Sequence, residues 1–235
     1  MNPTSMDSAR TDFMRDLEAR FVRATGLPDR SRYKIFYGPV HEAPILVLGI
    51  NPAGDPAATN PDGRTHHDGR IASASASFHE NGEHDVLDCD WQENRGLRVL
   101  LGPLVGGDPE AIRSRVVKTN MAFHRAARKS QIDAISAMDT CAPFLQEILD
   151  VVRPSLVVLV GVALREFTSR FCLRSDVVAP PERDPGVKQV VFAAARAELR
   201  PRRVPALIVQ VAHASRFAWT YERHGVAERI AALRD

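Results

Sequence analysis

Ile45-Leu-Val-Leu-Gly-Ile-Asn-Pro-Ala-Gly-Asp55 is the stretch on which the reading of this chain turns. The near-continuous apolar run from Ile45 to Ile50 has the character of a strand covered on both faces. Asn51-Pro52 then releases the chain into a polar turn. A second segment, Leu207-Ile-Val-Gln-Val-Ala-His-Ala-Ser-Arg216, repeats the pattern and ends on His213-Ala214-Ser215. Open α/β sheets bind ligands beyond the carboxyl ends of their strands. An Asn and a His delivered there by two different strands therefore suggest one shared active site.

Working outward, the apolar spacing of Phe13, Met14, Leu17, Phe21 and Val22 predicts a helix over 11–24, stopped by Gly26 and Pro28. Residues 1–10 are expected to be flexible. Tyr33 to Tyr37 reads as a short strand. Leu97, Val99, Leu100 and Leu101 predict a helix over 94–104, and Val116 to Asn120 a short strand ending on an Asn. A helix over 140–152 precedes a strand at 156–160, and Gly161 leads into a helix over 162–171. Residues 187–195 read as a strand or a hairpin arm, 206–211 as the last core strand, and 219–233 as a terminal helix. This alternation predicts an α/β fold: a parallel sheet with helices on both faces. Right-handed crossovers would align the strand ends near 51, 120, 161 and 213 along one edge.

The chain has 235 residues, no repeat and no low-complexity linker, so a single domain is expected. Its hydrophobic content of 44% suits a sizeable soluble core, and its apolar runs fall far short of the roughly 20 residues of a membrane span. No signal peptide is visible at the start. Three cysteines, Cys89, Cys141 and Cys172, stand at wide, unrelated spacings, which argues against a disulfide framework or a four-cysteine metal cluster and for a reducing cytoplasm. Net charge is only +2 but uneven. Arg113, Arg115, Lys118, Arg125, Arg128 and Lys129 fall in a stretch without acids. Asp55, Asp62, Asp68, Glu80, Glu83, Asp85, Asp88, Asp90 and Glu93 make 51–95 acidic. Basic clusters can neutralise phosphates, or simply be a solvated surface.

Four short motifs, Gly49-Ile-Asn-Pro52, Thr119-Asn120, Val157-Val-Leu-Val-Gly161 and His213-Ala-Ser215, occur in that order. Together they resemble the uracil-DNA glycosylase superfamily, over roughly residues 45 to 220. The first motif is similar to that of the mismatch-specific and single-strand-selective branches. The resemblance implies a three-layer α/β/α sandwich on a central four-stranded parallel sheet. It implies a hydrolase, a glycosidase of base excision repair, that flips a uracil nucleotide out of DNA, cleaves its N-glycosidic bond and leaves an abasic site. No cofactor is needed, and a monomer acting on uracil-containing DNA is expected.

Carried over residue by residue, the resemblance makes Asn51 the holder of the attacking water and His213 the donor to uracil O2. An amide orients water without acting as a strong base, and a donor aimed at a growing negative charge is worth about 2.7–4 kcal/mol. Asn120 becomes the base-reading amide, complementary to uracil O4 and N3–H. Gly49, Ile50 and Pro52 would line the pocket. Ser215 would bond a flanking phosphate or cap the next helix, and Arg216 would fill the vacated stack or contact phosphate. An aromatic ring should stack on the base, and Phe78 is the nearest one downstream of the first motif. The chain departs from the pattern at Ala53, at Ala214 in place of the usual Pro, and in lacking the cysteines of the iron–sulfur branches.

From Asn51 to about Asp90 no periodicity is visible. A stretch this long is expected to be a functional loop. It gathers His66, His67, His79 and His84 among acids, and His66, His67 or Asp68 would reach the sugar or the water. Two rivals to the glycosylase remain: a catalytically weak relative that binds damaged or single-stranded DNA, and a metal-dependent hydrolase built on this histidine loop. The loop has no metal-ligand spacing of a known kind, and no bound metal is expected.

Overall fold

Ile45 and Val47 pack into one apolar cluster and Leu46 and Leu48 into another, and all four are fully buried. A strand whose alternate residues enter two cores must have helices on both faces. That is the architecture of the computed structural model, which describes residues 3–27, 32–51, 84–88, 90, 92–125 and 133–234. In chain order it comprises α1 (Pro3–Thr25), β1 (Ile45–Gly49), α2 (Asp85–Asp88), α3 (Gln92–Leu104), α4 (Ala111–Arg115) and β2 (Val116–Asn120). There follow α5 (Ala134–Val152), β3 (Leu156–Val160), α6 (Leu164–Phe171), β4 (Cys172–Arg183), β5 (Val190–Leu199) and β6 (Val204–Val211). The chain ends in α7 (Ala214–Phe217), α8 (Trp219–Arg223) and α9 (Val226–Arg234).

Among the described residues one sheet carries every strand, in the order β2-β1-β3-β6-β5-β4. The first four strands are mutually parallel. Side chains of α1, α5 and α6, including Phe21, Phe144 and Phe167, cover one face. Those of α3, α8 and α9, including Leu97, Leu100, Tyr221 and Ile230, cover the other.

The expected four-stranded parallel sheet needs correction: it is a six-stranded mixed sheet. β4 and β5 form an antiparallel hairpin added to β6. Most of β4 is exposed, Leu173, Val177 and Val178 included, and it contains Pro180-Pro181, as edge strands can. Its charged residues and prolines set it apart from the buried central strands. β5 overlaps the strand or hairpin arm expected over 187–195 and is rich in buried alanines, Ala193, Ala194, Ala195 and Ala197.

Other expectations also shift. Tyr33–Tyr37 forms no strand; only Tyr33 makes an isolated antiparallel bridge, to His124. The helix expected over 219–233 is split at His224–Gly225, where Gly225 takes a φ of +54°. α1 begins at Pro3 and α5 at Ala134, both earlier than their periodicity indicates. Asp133 caps α5 by accepting from the amides of Ile135 and Ser136 at 3.1 and 3.3 Å.

Candidate functional site

The parallel strands end in register. Gly49 pairs with Asn120 across β1 and β2, and Val160 pairs with Val211 across β3 and β6. Ile50, Asn51, Gly161 and His213 thus leave the sheet along one edge. Two further amide bonds extend the pairing past β1 and β2, Met121 N–H to Gly49 O at 2.9 Å and Ala122 N–H to Ile50 O at 2.8 Å. Asn51 is half-buried at this edge. The β4–β5 hairpin turn reaches the same edge, because Phe192 near the start of β5 pairs with Val211 at the end of β6. Gln189 in that turn accepts the His213 amide N–H at 3.0 Å.

His213 caps α7. Its Nδ1 accepts the Ser215 amide N–H at 3.3 Å and lies 2.9 Å from Ser215 Oγ. An amide N–H can only donate, so Nδ1 carries a lone pair and the ring proton sits on Nε2. Burial lowers the imidazole below its ordinary value, against the opposing pull of Glu93. The ring is therefore a neutral Nε2–H donor at neutral pH. Its Cδ2 would lie 3.2 Å from a Cβ at Gly161, which has a φ of +71° and leaves that space open. Ser215 lies in the first turn of α7 and is the residue capped: His213, not Ser215, is the N-cap. Arg216 is exposed.

Asn120 is 4% exposed. Its Nδ2 donates to Tyr37 Oη at 2.6 Å, and its Oδ1 packs against Gly49 so closely that a Cβ there would collide with it. Burial raises the Tyr37 hydroxyl well above its ordinary value, so it stays protonated. Asn120 is thus an inner wall of the site, with one of its N–H groups engaged by Tyr37.

Behind this wall lies a charged network that the linear charge pattern does not reveal. Lys118, 5% exposed in the middle of β2, donates to Asp85 Oδ2 and Asn94 Oδ1, each at 2.9 Å, and lies 3.1 Å from Glu93 Oε1. These three partners match the three protons of its ammonium. Lys34 Nζ stands 3.6 Å from Asp85 Oδ1 and 4.0 Å from the centre of the Tyr37 ring. Burial would drive the Lys118 ammonium down, but Asp85 and Glu93 outweigh it and raise it. Burial would raise Asp85, but Lys118 and Lys34 outweigh that and hold it down at about 2. Lys118 likewise lowers Glu93.

Glu93 joins this network to the open edge: its Oε2 lies 3.9 Å from His213 Nε2, and the two side chains keep 30% and 31% of their exposure. Gly96 allows the approach, since a Cβ there would sit 2.7 Å from Ala214 O and 2.8 Å from Ala218 Cβ. α3 is thereby pressed onto α7, bringing Glu93 beside His213.

Sequence reasoning placed Gly49, Ile50, Asn51, Asn120 and His213 at one edge, and there they lie. It missed Lys118, Asp85 and Glu93 as a unit. The available signal was a lysine inside the otherwise uncharged strand Val116-Val-Lys-Thr-Asn120. The acidic loop also ends differently from expectation. Asp85 is buried, and so is His84, whose Nε2 donates to Val116 O at 2.9 Å. Pro52, His66, His67, Asp68 and Phe78 lie outside the described residues. Among the described residues no group of three or more His, Cys, Asp or Glu side chains is arranged to hold a metal ion. Cys141 and Cys172 are buried free thiols, and no described helix is long and apolar enough to cross a membrane.

No protein-family model matches the chain, and no curated protein matches it.

Proposed function

We propose that the protein is a monofunctional glycosylase that hydrolyses the N-glycosidic bond of uracil in DNA. One observation carries the reading: His213 is a neutral Nε2–H donor at the strand edge that also holds Asn51. In this reading the donor faces uracil O2 and stabilises the charge that builds there as the bond to the sugar lengthens. Asn51 orients the water that captures the sugar. An amide suffices because a cationic, oxocarbenium-like sugar needs little nucleophile activation. Asn120 and Gly49 close the inner wall, and Arg216, exposed three residues beyond His213, contacts the DNA backbone. No cofactor is required. The protein would act as a monomer in the cytoplasm.

The test is an oligonucleotide with a single uracil, single- or double-stranded, incubated with the protein and cleaved with alkali. Strand scission is expected, with His213→Ala slowing base release by about 10²–10³-fold and Asn51→Ala also slowing it. Absence of scission on both substrates, or wild-type rates in the Asn51→Ala/His213→Ala double variant, would refute the reading. Salt-dependent DNA binding without base release would favour the DNA-binding relative instead. A chelator-sensitive activity would favour the metal-dependent hydrolase.

A further inference from the structure

His213 and Glu93 present a donor and an acceptor side by side. The 3.9 Å between His213 Nε2 and Glu93 Oε2 exceeds a direct hydrogen bond. Both atoms therefore retain capacity toward a third group. The other carboxylate oxygen is held by Lys118 at 3.1 Å, so the orientation of Glu93 is set from behind. Among the described residues Oε2 makes no hydrogen bond of its own. Asn120, the amide from which base reading was expected, is 4% exposed and donates to Tyr37.

An acceptor beside a donor is complementary to a cis lactam, where an N–H adjoins a C=O. Uracil, thymine and hypoxanthine carry that edge. Cytosine and adenine present a ring nitrogen lone pair in place of the N–H, which a carboxylate repels. We propose that Glu93 and His213 form the base-reading pair, with Glu93 Oε2 accepting N3–H of the flipped uracil and His213 Nε2–H donating to O2. This inference rests on the glycosylase reading above and assigns its base selectivity to a residue on α3. Lys118 also answers the evident objection, a carboxylate next to a base that is gaining negative charge. Its ammonium sits on the far oxygen and offsets that charge.

The same geometry predicts the behaviour of Glu93→Gln. Lys118 has only donors to offer, so it holds the amide oxygen of the variant and turns the NH₂ toward the base. Two donors then face the base, which fits the adjacent O2 and N3 acceptors of cytosine. Glu93→Leu removes the hydrogen bond without creating a new donor.

The experiment is single-turnover base release from matched oligonucleotides carrying uracil or cytosine at one position, for wild type, Glu93→Gln, Glu93→Leu and Asn120→Ala. Thermal melting checks that each variant is folded. Glu93→Gln is expected to slow uracil release and speed cytosine release, moving their ratio by about 10–100-fold, the range of a single polar discrimination. Glu93→Leu is expected to slow uracil release without a gain on cytosine. If wild type releases uracil and both Glu93 variants keep its uracil-to-cytosine ratio, the inference falls and the glycosylase reading stands. It falls equally if only Asn120→Ala moves the ratio. If wild type releases neither base, the glycosylase reading itself falls and takes the inference with it.

Discussion

Two clusters of charge lie near the carboxyl edge of the sheet, and they differ in depth. Around Lys118, the side chains of Lys34, Lys118 and Asp85 are each 4% exposed. Around His224, Asp184 is equally buried, but Glu182 and Arg229 keep 40% and 36% of their exposure and Arg223 keeps 61%. Charges in a low-dielectric interior interact strongly and suffer heavily when orphaned, whereas exposed pairs are screened by water and salt. The first cluster is therefore expected to govern whether the site exists, and the second how firmly its rim is held.

The largest effect follows from Lys118→Met. The variant leaves Asp85 buried with only the more distant Lys34 as a cationic partner, and a cost of about 3–5 kcal/mol is expected by chemical denaturation. Adding Asp85→Asn should recover part of the loss, and the double-mutant cycle would measure the coupling. Additive losses from the two substitutions would show that the buried pair is not a unit.

Acid should probe the same cluster without mutation. Asp85 titrates at about 2 in the folded protein, below the ordinary carboxylate value of 3.8. A lowered carboxylate stabilises the fold above its unfolded value and loses that contribution as pH falls through its folded value. Stability should thus decline between about pH 4 and pH 2, by roughly 2 kcal/mol from this group. Unfolding curves for wild type and Asp85→Asn, taken at steps across that window, would separate its share from that of other acids. Equal slopes in both proteins would contradict the assignment.

What the linear sequence disclosed, and what it hid, divides along the same line. The strands β1, β3 and β6 are legible because each is a largely apolar run stopped by a polar turn, which suits the middle of a covered sheet, and β2 is legible as a short β-branched run ending on an Asn. Their ends carry Asn51, Asn120 and His213, so that edge of the site was legible too. The hairpin was legible only in part: 187–195 reads as a strand or hairpin arm, and β5 spans Val190–Leu199. β4 was not, because it is an exposed edge strand that mixes charged residues with Val177, Val178 and Pro180-Pro181. Nor was the Lys118 cluster legible. Lys118 and Asp85 lie 33 residues apart, and a list of charges in chain order does not say which side chains meet. Glu93 looked like one more acid in a solvated stretch. Only the close packing of α3 on α7 at Gly96 brings it to His213.

Gly161→Ala probes a smaller effect on the shallow side of the network. Gly161 has a φ of +71°, and an added Cβ would sit 3.2 Å from Cδ2 of His213. The left-handed backbone costs an alanine about 1–2 kcal/mol. The ring must also yield by a few tenths of an ångström, which moves Nε2 relative to Glu93. In the glycosylase reading, base release should slow while the melting temperature falls only slightly. An unchanged rate with the same drop in melting temperature would mean that the ring position is not demanding.

The smallest expected effect belongs to His224→Ala. His224 Nδ1 and Nε2 lie 3.1 Å from Glu182 Oε1 and Asp184 Oδ2, respectively. The ring thus has a carboxylate oxygen at each of its nitrogens. It ties the end of β4 and the following turn to the junction of α8 and α9. Arg229 still donates to Glu182 at 2.7 Å and Arg223 still lies 3.5 Å from Asp184 when the ring is gone. The loss of stability should therefore be several-fold smaller than for Lys118→Met. The consequence should be local instead. Gln189 in the same hairpin turn holds the His213 amide at 3.0 Å, so loosening the turn should speed hydrogen exchange at that amide and across 184–189 more than in the central strands. Exchange that accelerates uniformly through β1 and β3 would mean that the rim and the buried cluster unfold together, and the contrast between them would not hold.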